Sequence, residues 1–214
     1  MKAIVTCGPS YEPIDNVRRL TNFSTGELGV LLANALTEAG IETFCLKGEQ
    51  ATWPGPCNAS QLAAFSTNDD LLARLQALAR GGDVDAVFHA AALCDYRVGK
   101  ISDAHGTPAS GAKIPTQAGD LNLTLVPTTK VIAQLRNLFP GAALVGWKYE
   151  LNGERADAIE KAFTQIAANK ASACVANGSA FGAGFGLCEP PRTVRTFSDK
   201  AALCDGLVDW LRQK

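Results

Sequence analysis

The chain has 214 residues, of which 47% are hydrophobic and 19% are charged, and this suits one folded domain with a buried core. Its net charge of −1 gives no support for broad binding to nucleic acid or to acidic membranes. No apolar stretch approaches the roughly 18 residues of a membrane span, and the amino terminus does not read as a signal peptide. We therefore expect a cytoplasmic protein without nucleic-acid or membrane partners.

Strand patterns alternate with amphipathic helix patterns, which predicts an α/β fold with a mainly parallel sheet. In chain order the predicted elements are strand 3–5, helix 28–39, strand 42–46, helix 68–79, strand 85–91, half-exposed strand 121–125, helix 128–138, strand 143–147, helix 154–169, strand 173–176, edge strand 192–197 and helix 199–212. An Asn/Asp cap is expected to begin helix 68–79, and Ser198 to cap helix 199–212. Segment 98–112 is rich in Gly, Ser, Pro and Asp and predicts a mobile loop, and segments 52–60 and 179–191 predict Gly- and Pro-rich connections.

A long polar loop, from Cys7 to Gly29, joins the first predicted strand to the first predicted helix. A plain connection at this point would need only about 2–6 residues. In an open α/β sheet ligands bind at such junctions, and the positive end of the helix dipole favours an anion. Gly8 follows the strand directly, where a missing side chain lets a ligand approach closely, although an ordinary turn glycine would look the same. The loop therefore predicts an anion-binding site.

Seven cysteines are present, none of them in a C-x-x-C pair, and the only histidines are His89 and His105. Zinc-ligand spacing is therefore absent, and we predict no bound metal at a cysteine or histidine cluster. Scattered free thiols in a reducing compartment are the expected state. Cys7 and Cys94 lie inside candidate site segments, where we interpret them as small packing residues.

Several separated motifs occur in one order, and together they are specific where each alone would be weak. They are Gly8-Pro9-Ser10-Tyr11-Glu12-Pro13-Ile14-Asp15, Val17-Arg18, Thr21-Asn22-Phe23-Ser24-Thr25-Gly26, Ala90-Ala91-Ala92-Leu93-Cys94-Asp95-Tyr96, Lys113-Ile114, Val145-Gly146-Trp147-Lys148-Tyr149-Glu150 and Val175-Ala176-Asn177. Through them the chain resembles the phosphopantothenoylcysteine synthetase family, also called phosphopantothenate–cysteine ligase. The resemblance implies one Rossmann-like domain over residues 1–214, usually dimeric, with a mobile lid at about 98–118 and a small strand extension.

The family's reaction is what the resemblance implies for this chain. The carboxylate of 4′-phosphopantothenate attacks the α-phosphate of CTP or ATP, pyrophosphate leaves, and an acyl-nucleotide forms. The amine of L-cysteine then displaces the nucleotide, which is a step of coenzyme A biosynthesis. Mg²⁺ accompanies the triphosphate. Many bacteria fuse this ligase to a flavin-dependent decarboxylase, and since that half is missing here we expect no FMN and consider a separate decarboxylase as a partner.

The resemblance assigns chemical roles to two residues. Asn22 aligns with the asparagine of the family's N-x-S-[ST]-G motif, and its amide can donate to an acyl-phosphate oxygen and accept from the incoming amine. We expect it to hold the acyl-nucleotide for amide formation, with a turn asparagine as the alternative. Lys113, followed by Ile114 as on the family's lid, is expected to neutralise the triphosphate in the transition state, although a loop lysine is ordinarily just solvated.

Other residues are expected to bind the two substrates. For phosphopantothenate the candidates are Arg18, Asn22, Ser24, Thr25, Gly26 and Asn177. For the nucleotide they are Gly8, Ser10, Ala91, Ala92, Asp95, Lys113 and Trp147. Structural roles stay open for several of them, namely helix capping by Ser24, Thr25 or Asp95, surface exposure of Arg18, core packing of Trp147 and a turn at Asn177.

Departures from the family pattern keep two questions open. Glu27 stands where many bacterial members have a basic residue, and the lid reads Lys113-Ile114-Pro115-Thr116 where many have a lysine-rich run. The strand motif around Trp147 resembles that of eukaryotic members, which use ATP, whereas bacterial members mostly use CTP. The sequence therefore leaves open whether the enzyme uses CTP or ATP, and whether its substrate differs from that of the family.

Two other classes of function compete with the ligase. The first is a catalytically silent paralogue that binds a phosphorylated ligand or a partner decarboxylase, which would need neither Asn22 nor Lys113. The second is an NAD(P)-dependent Rossmann enzyme, which is disfavoured because no G-x-G-x-x-G follows the first strand. A nucleic-acid-binding module lacks the basic aromatic pattern that it would need.

Overall fold

A computed structural model describes residues 1–117 and 119–214. Its strands are β1 (Lys2–Cys7), β2 (Tyr11–Pro13), β3 (Arg19–Thr21), β4 (Glu42–Gly48), β5 (Gln61–Phe65), β6 (Ala86–His89), β7 (Tyr96–Asp103), β8 (Leu121–Pro127), β9 (Ala143–Tyr149), β10 (Ala173–Asn177), β11 (Phe185–Glu189) and β12 (Thr193–Phe197). Its α-helices are α1 (Glu27–Glu38), α2 (Asn68–Arg80), α3 (Ile132–Leu138), α4 (Arg155–Asn169) and α5 (Lys200–Arg212).

The main sheet has the strand order β12-β11-β10-β9-β6-β1-β4-β5. The strands from β10 to β5 pair in parallel, and β11 and β12 extend the sheet with antiparallel pairs. From β1 the chain moves to one side through β4 and β5, and it then returns to build the other side from β6. Ligands bind where the strand order reverses in this way, at the carboxyl ends of the strands. The prediction of a Rossmann-like, mainly parallel sheet flanked by helices is confirmed.

Helices cover both faces of the sheet, which explains why its central strands are mainly apolar. All of β6 is buried, and so are the residues of β1 from Ala3 to Cys7. On one face, α1 and α5 pack on a core that includes Val5, Val145 and Trp210. On the other face, Ile4 and Leu144 join the apolar residues of α2 and α3. This two-sided packing holds the carboxyl ends of the strands in a rigid frame.

Four short strands and two helix caps differ from the sequence prediction. We predicted no strands at β2, β3 or β5, and the Gly/Pro-rich connection expected at 179–191 is wrong because β11 lies within it. The ring of Phe181 packs on Gly186 of β11, where a Cβ would lie 2.6 Å from that ring. The cap of α2 is Thr67, and that of α5 is Asp199, whose carboxylate accepts a hydrogen bond from the backbone N–H of Ala202. Strand β12 is the predicted edge strand.

The first part of the predicted mobile loop is a strand. Strand β7 pairs with β8 in an antiparallel hairpin, with a register shift between Val98 and Lys100. At the shift, a Cβ on Gly99 would lie 2.8 Å from Cγ1 of Val126, so the glycine allows a close approach of the two strands. The Asp103 carboxylate accepts hydrogen bonds from the backbone N–H groups of His105 and Thr107 and shapes the turn that follows. The expectation of an irregular loop from 98 is therefore wrong up to residue 103, while mobility of the lid stays a prediction.

No helix in the described part of the chain combines the length and the apolar character that crossing a bilayer requires. The seven cysteines are free thiols, and six of them, including Cys7 and Cys94, are buried. Burial raises the pKa of Cys188 to about 11, so this thiol is protonated at neutral pH. These observations agree with the interpretation of the cysteines as packing residues.

Candidate functional site

The loops that follow β1 and β6 are hydrogen-bonded to each other. Pro9 and Ala92 form a parallel bridge, and the N–H of Ala92 donates to the carbonyl of Gly8 at 2.9 Å. Ser10 is fully buried, and its hydroxyl accepts a hydrogen bond from the N–H of Cys94 at 2.9 Å. The hydroxyl of Ser10 therefore joins the two loops, and its predicted contact with the nucleotide stays untested. Ala91 and Ala92 lie at this junction, next to Gly8.

The Asn22 side chain reaches the same junction. Its Nδ2 donates to the carbonyl oxygens of Leu93 at 2.8 Å and of Ala92 at 3.3 Å. Both contacts use Nδ2, which leaves Oδ1 as an acceptor for a ligand. Asn22 is exposed, so a ligand can reach it. The structure thus brings this predicted catalytic residue into contact with Ala92, one of the predicted nucleotide-binding residues.

A cleft opens beside this junction at the beginning of α1. Five of the predicted site residues line it, namely Gly8, Ser24, Thr25, Gly26 and Asn177. Four of them were predicted to bind phosphopantothenate, and Gly8 was predicted to bind the nucleotide. The cleft is also lined by Cys7, Glu27, Leu28, Gly29, Ala90, Phe185 and Lys200.

The amino terminus of α1 supplies backbone donors to the cleft. The first intrahelical hydrogen bond runs from the N–H of Val30 to the carbonyl of Gly26, so the N–H groups of Leu28 and Gly29 precede it. Gly26 has a φ of 79°, and a Cβ there would lie 2.9 Å from the Cβ of Ala51. Only glycine fits this left-handed, crowded position without strain. The local sequence thus builds a helix terminus of the kind at which anions commonly bind.

An ion pair lies in the cleft. Lys200, in the first turn of α5, contacts the carboxylate of Glu27 through its ammonium group. Sequence reasoning singled out Glu27 as a departure and missed Lys200, because no local motif marks a lysine at the start of a distant helix. Lys200 supplies the cleft with the cation that position 27 lacks. Asn177 adds a buried Oδ1 that has no hydrogen-bond partner among the described residues.

Arg18 is engaged with the lid. Its Nη2 donates to Oδ2 of Asp15 and to the carbonyl of Ile114, both at 2.6 Å. The predicted contact between Arg18 and phosphopantothenate would have to use the remaining face of the guanidinium. Lys113 precedes Ile114 and is exposed, outside the cleft. The structure therefore joins Arg18 to the segment that carries Lys113 and separates both from Ser24.

Two predicted nucleotide-binding residues lie apart from the cleft. Asp95 is exposed and forms an ion pair with Lys130, while the N–H of Thr128 donates to its carbonyl at 3.0 Å. Trp147 is half-buried and packs on the core beneath α1 and α5. Its Nε1 is buried without a hydrogen-bond partner among the described residues. The roles of Asp95 and Trp147 in nucleotide binding stay predictions.

A buried histidine lies beneath the junction of the loops. His89 ends β6, and its Nδ1 is 2.8 Å from Oγ1 of Thr6 on the neighbouring strand. Burial lowers the pKa of His89 to about 4, so the ring is neutral at physiological pH. In the described part of the chain, no group of three or more His, Cys, Asp or Glu side chains is arranged to hold a metal ion.

The family model of the DNA/pantothenate metabolism flavoprotein C-terminal domain matches residues 1–202. The chain belongs to this family. A relative in Thermococcus kodakarensis, the coenzyme A biosynthesis bifunctional protein CoaBC, is 30% identical over 177 residues, which are 82% of this chain and 41% of that protein. The chain thus spans less than half the length of this curated relative. The family resemblance stated from the sequence motifs is confirmed.

Solved structures show the same fold. The DNA/pantothenate metabolism flavoprotein from Streptococcus pneumoniae superposes with a TM-score of 0.86 at 23% identity, covering 100% of this chain and 99% of that one. A Cab2 mutant in complex with phosphopantothenate-cysteine superposes with a TM-score of 0.76 at 16% identity, covering 99% of this chain and 85% of that one.

Proposed function

We propose that the protein joins 4′-phosphopantothenate to L-cysteine through an acyl-nucleotide formed from CTP or ATP. The observation that carries this proposal is the cleft at the beginning of α1, with Asn22 close by on the junction of the β1 and β6 loops. It offers one place for a phosphate and an adjacent amide for the reacting acyl group. The family membership supports it, and so does the relative that is a bifunctional protein of coenzyme A biosynthesis.

In this proposal the phosphate of phosphopantothenate lies in the cleft. Backbone N–H groups at the start of α1 and the hydroxyls of Ser24 and Thr25 donate to its oxygens. Gly26 gives the loop the left-handed turn that starts the helix, and Lys200 contributes a charge-assisted contact. The side chain of Asn177 can turn its amide to the ligand, since its Oδ1 has no partner among the described residues.

The chemistry then needs positioning and charge stabilisation rather than an acid–base pair. The pantothenate carboxylate attacks the α-phosphorus, the bond from that phosphorus to the bridging oxygen breaks, and pyrophosphate departs with the electron pair. Lys113 stabilises the charge that develops on the leaving group. The amine of cysteine next attacks the acyl carbon, the nucleotide leaves with the acyl–oxygen electron pair, and the amine releases a proton to solvent. Oδ1 of Asn22 accepts a hydrogen bond from the amine during the attack.

The nucleotide is proposed to lie along the loop after β6. Ala91 and Ala92 leave space for it, Gly8 lets it approach the end of β1, and Asp95 and Trp147 contact its ribose or base. Mg²⁺ enters with the triphosphate, whose phosphate oxygens are the ligands that this ion prefers. Homodimer formation, a separate decarboxylase partner and a cytoplasmic location stay predictions.

The test is pyrophosphate release with 4′-phosphopantothenate, Mg²⁺ and either CTP or ATP, with and without L-cysteine. We expect release that requires 4′-phosphopantothenate and a triphosphate, and amide product that also requires cysteine. The better triphosphate identifies the nucleotide. Absence of release with either triphosphate from folded protein would contradict the proposal.

A silent or substrate-shifted paralogue is the second candidate, and Glu27 favours it. A carboxylate in an anion-binding cleft repels a phosphate unless a cation neutralises it. Calorimetric binding of 4′-phosphopantothenate without turnover would support a silent paralogue, and turnover of another phosphorylated acid would support a shifted substrate. The contact between Glu27 and Lys200 supplies the neutralisation and is the reason why we prefer the ligase.

A further inference from the structure

The carboxylate of Asp15 is the centre of a hydrogen-bonded cluster between the β2–β3 hairpin and the lid. Its side chain is 1% exposed. It accepts hydrogen bonds from the N–H groups of Val17 at 2.9 Å and of Arg18 at 2.7 Å, and from the guanidinium of Arg18 at 2.6 Å. It also accepts one from the N–H of Ile114, 3.2 Å away and 99 positions along the chain. A single buried carboxylate thus connects the two segments.

The contacts hold both sides of Ile114. Its N–H donates to Asp15, and its carbonyl accepts from Nη2 of Arg18 at 2.6 Å. Two residues earlier in the lid, the carbonyl of Ala112 accepts a hydrogen bond from the N–H of Asn16 at 3.0 Å. The side chain of Ile114 is buried, at 2% exposure. The backbone on either side of Lys113 is therefore fastened, while the lysine side chain itself stays exposed.

The charge on Asp15 is well stabilised. Burial by itself would raise the pKa of this carboxyl, but the N–H of Val17, the guanidinium of Arg18 and the N–H groups of Arg18 and Ile114 outweigh it. The pKa of Asp15 is therefore held well below its usual range, and the contact to the lid involves an ionised acceptor. Hydrogen bonds to a charged group are about twice as strong as neutral ones.

We propose that Asp15, together with Arg18, is a latch that fastens the lid at Ile114 and so positions Lys113. Asp15 is a positioning residue here, since it acts through the backbone of the lid and not on the substrate. The effect of the latch on catalysis, through Lys113, rests on the proposed function. The fastening of the lid backbone at Ile114 does not depend on that function. An ammonium group on a fastened backbone loses less entropy when it meets a departing pyrophosphate than one on a free loop.

The hold on the lid is measured by limited proteolysis. Trypsin cleaves after lysine, and the N–H of the Lys113–Ile114 bond is the one that donates to Asp15. We expect Asp15→Asn to speed cleavage after Lys113 by about tenfold or more, since the variant loses the charged acceptor that holds the N–H of Ile114. Mass spectrometry of the fragments identifies the bond, and cleavage after Lys100 in the same digest reports general unfolding.

Asp103→Asn is the matched control. Asp103 also shapes a lid turn through backbone N–H groups, but its contacts are His105 and Thr107. Cleavage after Lys113 should be unchanged in this variant. Equal cleavage in wild type and Asp15→Asn would overturn the latch. If Asp15→Asn does not fold, Arg18→Lys decides, because lysine keeps the charge but cannot reach both Asp15 and Ile114, and cleavage should again accelerate.

The positioning role is measured separately by kinetics. We expect Asp15→Asn to lower kcat of pyrophosphate release by about tenfold with KM for the triphosphate nearly unchanged. In a Lys113→Ala background the same substitution should have almost no further effect, since both act through one group. Full additivity in this cycle would overturn the positioning role. If wild type releases no pyrophosphate, the proposed function fails, and the proteolysis result still decides the latch.

Discussion

The cleft at the beginning of α1 and the lid around Lys113 are built in opposite ways. Helices α1 and α5 and strands β1 and β10 form the cleft, and all four belong to the packed core. Lys113 instead lies on a segment outside the main sheet, whose described backbone contacts to the β2–β3 hairpin run through Asp15, Asn16 and Arg18. We infer from this difference that the two regions have different tasks. The rigid cleft would bind the substrate in its ground state, and Lys113 on the fastened lid would supply a charge that is needed only in the transition state.

The charges of the two regions differ as well. In the cleft, Lys200 and Glu27 form an ion pair with each other. In the lid, the ionised Asp15 is used for structure and the exposed Lys113 is available to a substrate. If this comparison is correct, cleft substitutions should change substrate affinity and lid substitutions should change the rate of the chemical step.

The largest effect is expected from Asn22→Ala, which lies at the boundary of the two regions. Amide formation should fall by about 100-fold or more, because Oδ1, the proposed acceptor for the incoming amine, is lost. Nucleotide binding should be nearly unchanged, and the acyl-nucleotide should accumulate. Chromatography of quenched single-turnover reactions measures both species, and Asn16→Ala, which keeps its backbone contact to Ala112, is the control. A normal amide yield would contradict the role of Asn22.

Lys113→Ala tests the lid side of the comparison. Acyl-nucleotide formation should slow by about 100-fold, because the charge of the leaving pyrophosphate loses its counter-ion. Pyrophosphate release measures this step, and Lys100→Ala on β7 serves as a control lysine of the same hairpin. Unchanged release would show that the lid takes no part in the reaction.

Lys200→Met tests the cleft side. KM for 4′-phosphopantothenate should rise by about tenfold while kcat changes little, because a charge-assisted contact to the bound phosphate is lost. Glu27→Gln should leave this KM unchanged or lower it, since it removes a repulsive charge. Initial-rate measurements at saturating triphosphate give KM for 4′-phosphopantothenate and kcat of each variant. Lys214→Met, just beyond the far end of α5, is the control. A change in kcat without a change in KM would contradict the division between the two regions.

The last prediction concerns the stability of the frame and not its activity. The pKa of His89 is about 4 in the folded protein and about 6.5 in an unfolded chain. The unfolded state therefore binds the proton first as the pH falls, so acidification from about pH 6.5 to 4 should lower the free energy of unfolding by up to about 1.4 kcal/mol per pH unit. Urea unfolding of wild type and His89→Gln measures this, and the variant should have the shallower pH dependence. Equal slopes would show that His89 does not titrate in this way.

Local patterns in the sequence were sufficient for most of the fold. Helix α2 was predicted within one residue of its observed end, because its apolar spacing and the following glycines are local signals. Strands β5 and β11 were missed because they are short and rich in alanine or glycine, and they become strands only through pairing with β4 and β10. Strand β7 was hidden by Gly99, which is unusual in a strand unless a neighbouring chain approaches closely.

The candidate site likewise has features that local sequence patterns predict and features that only the tertiary structure shows. The sequence by itself determined the order of motifs that defines the family, and it predicted an anion-binding loop with Asn22, Ser24, Thr25 and Gly26, because these signals lie within short segments. Only the tertiary structure decided that Lys200 meets Glu27, 173 positions away, and that Asp15 meets Ile114. It also decided that Gly8 shares a cleft with Asn177. Such contacts depend on strand order and helix packing, which local side-chain patterns do not encode.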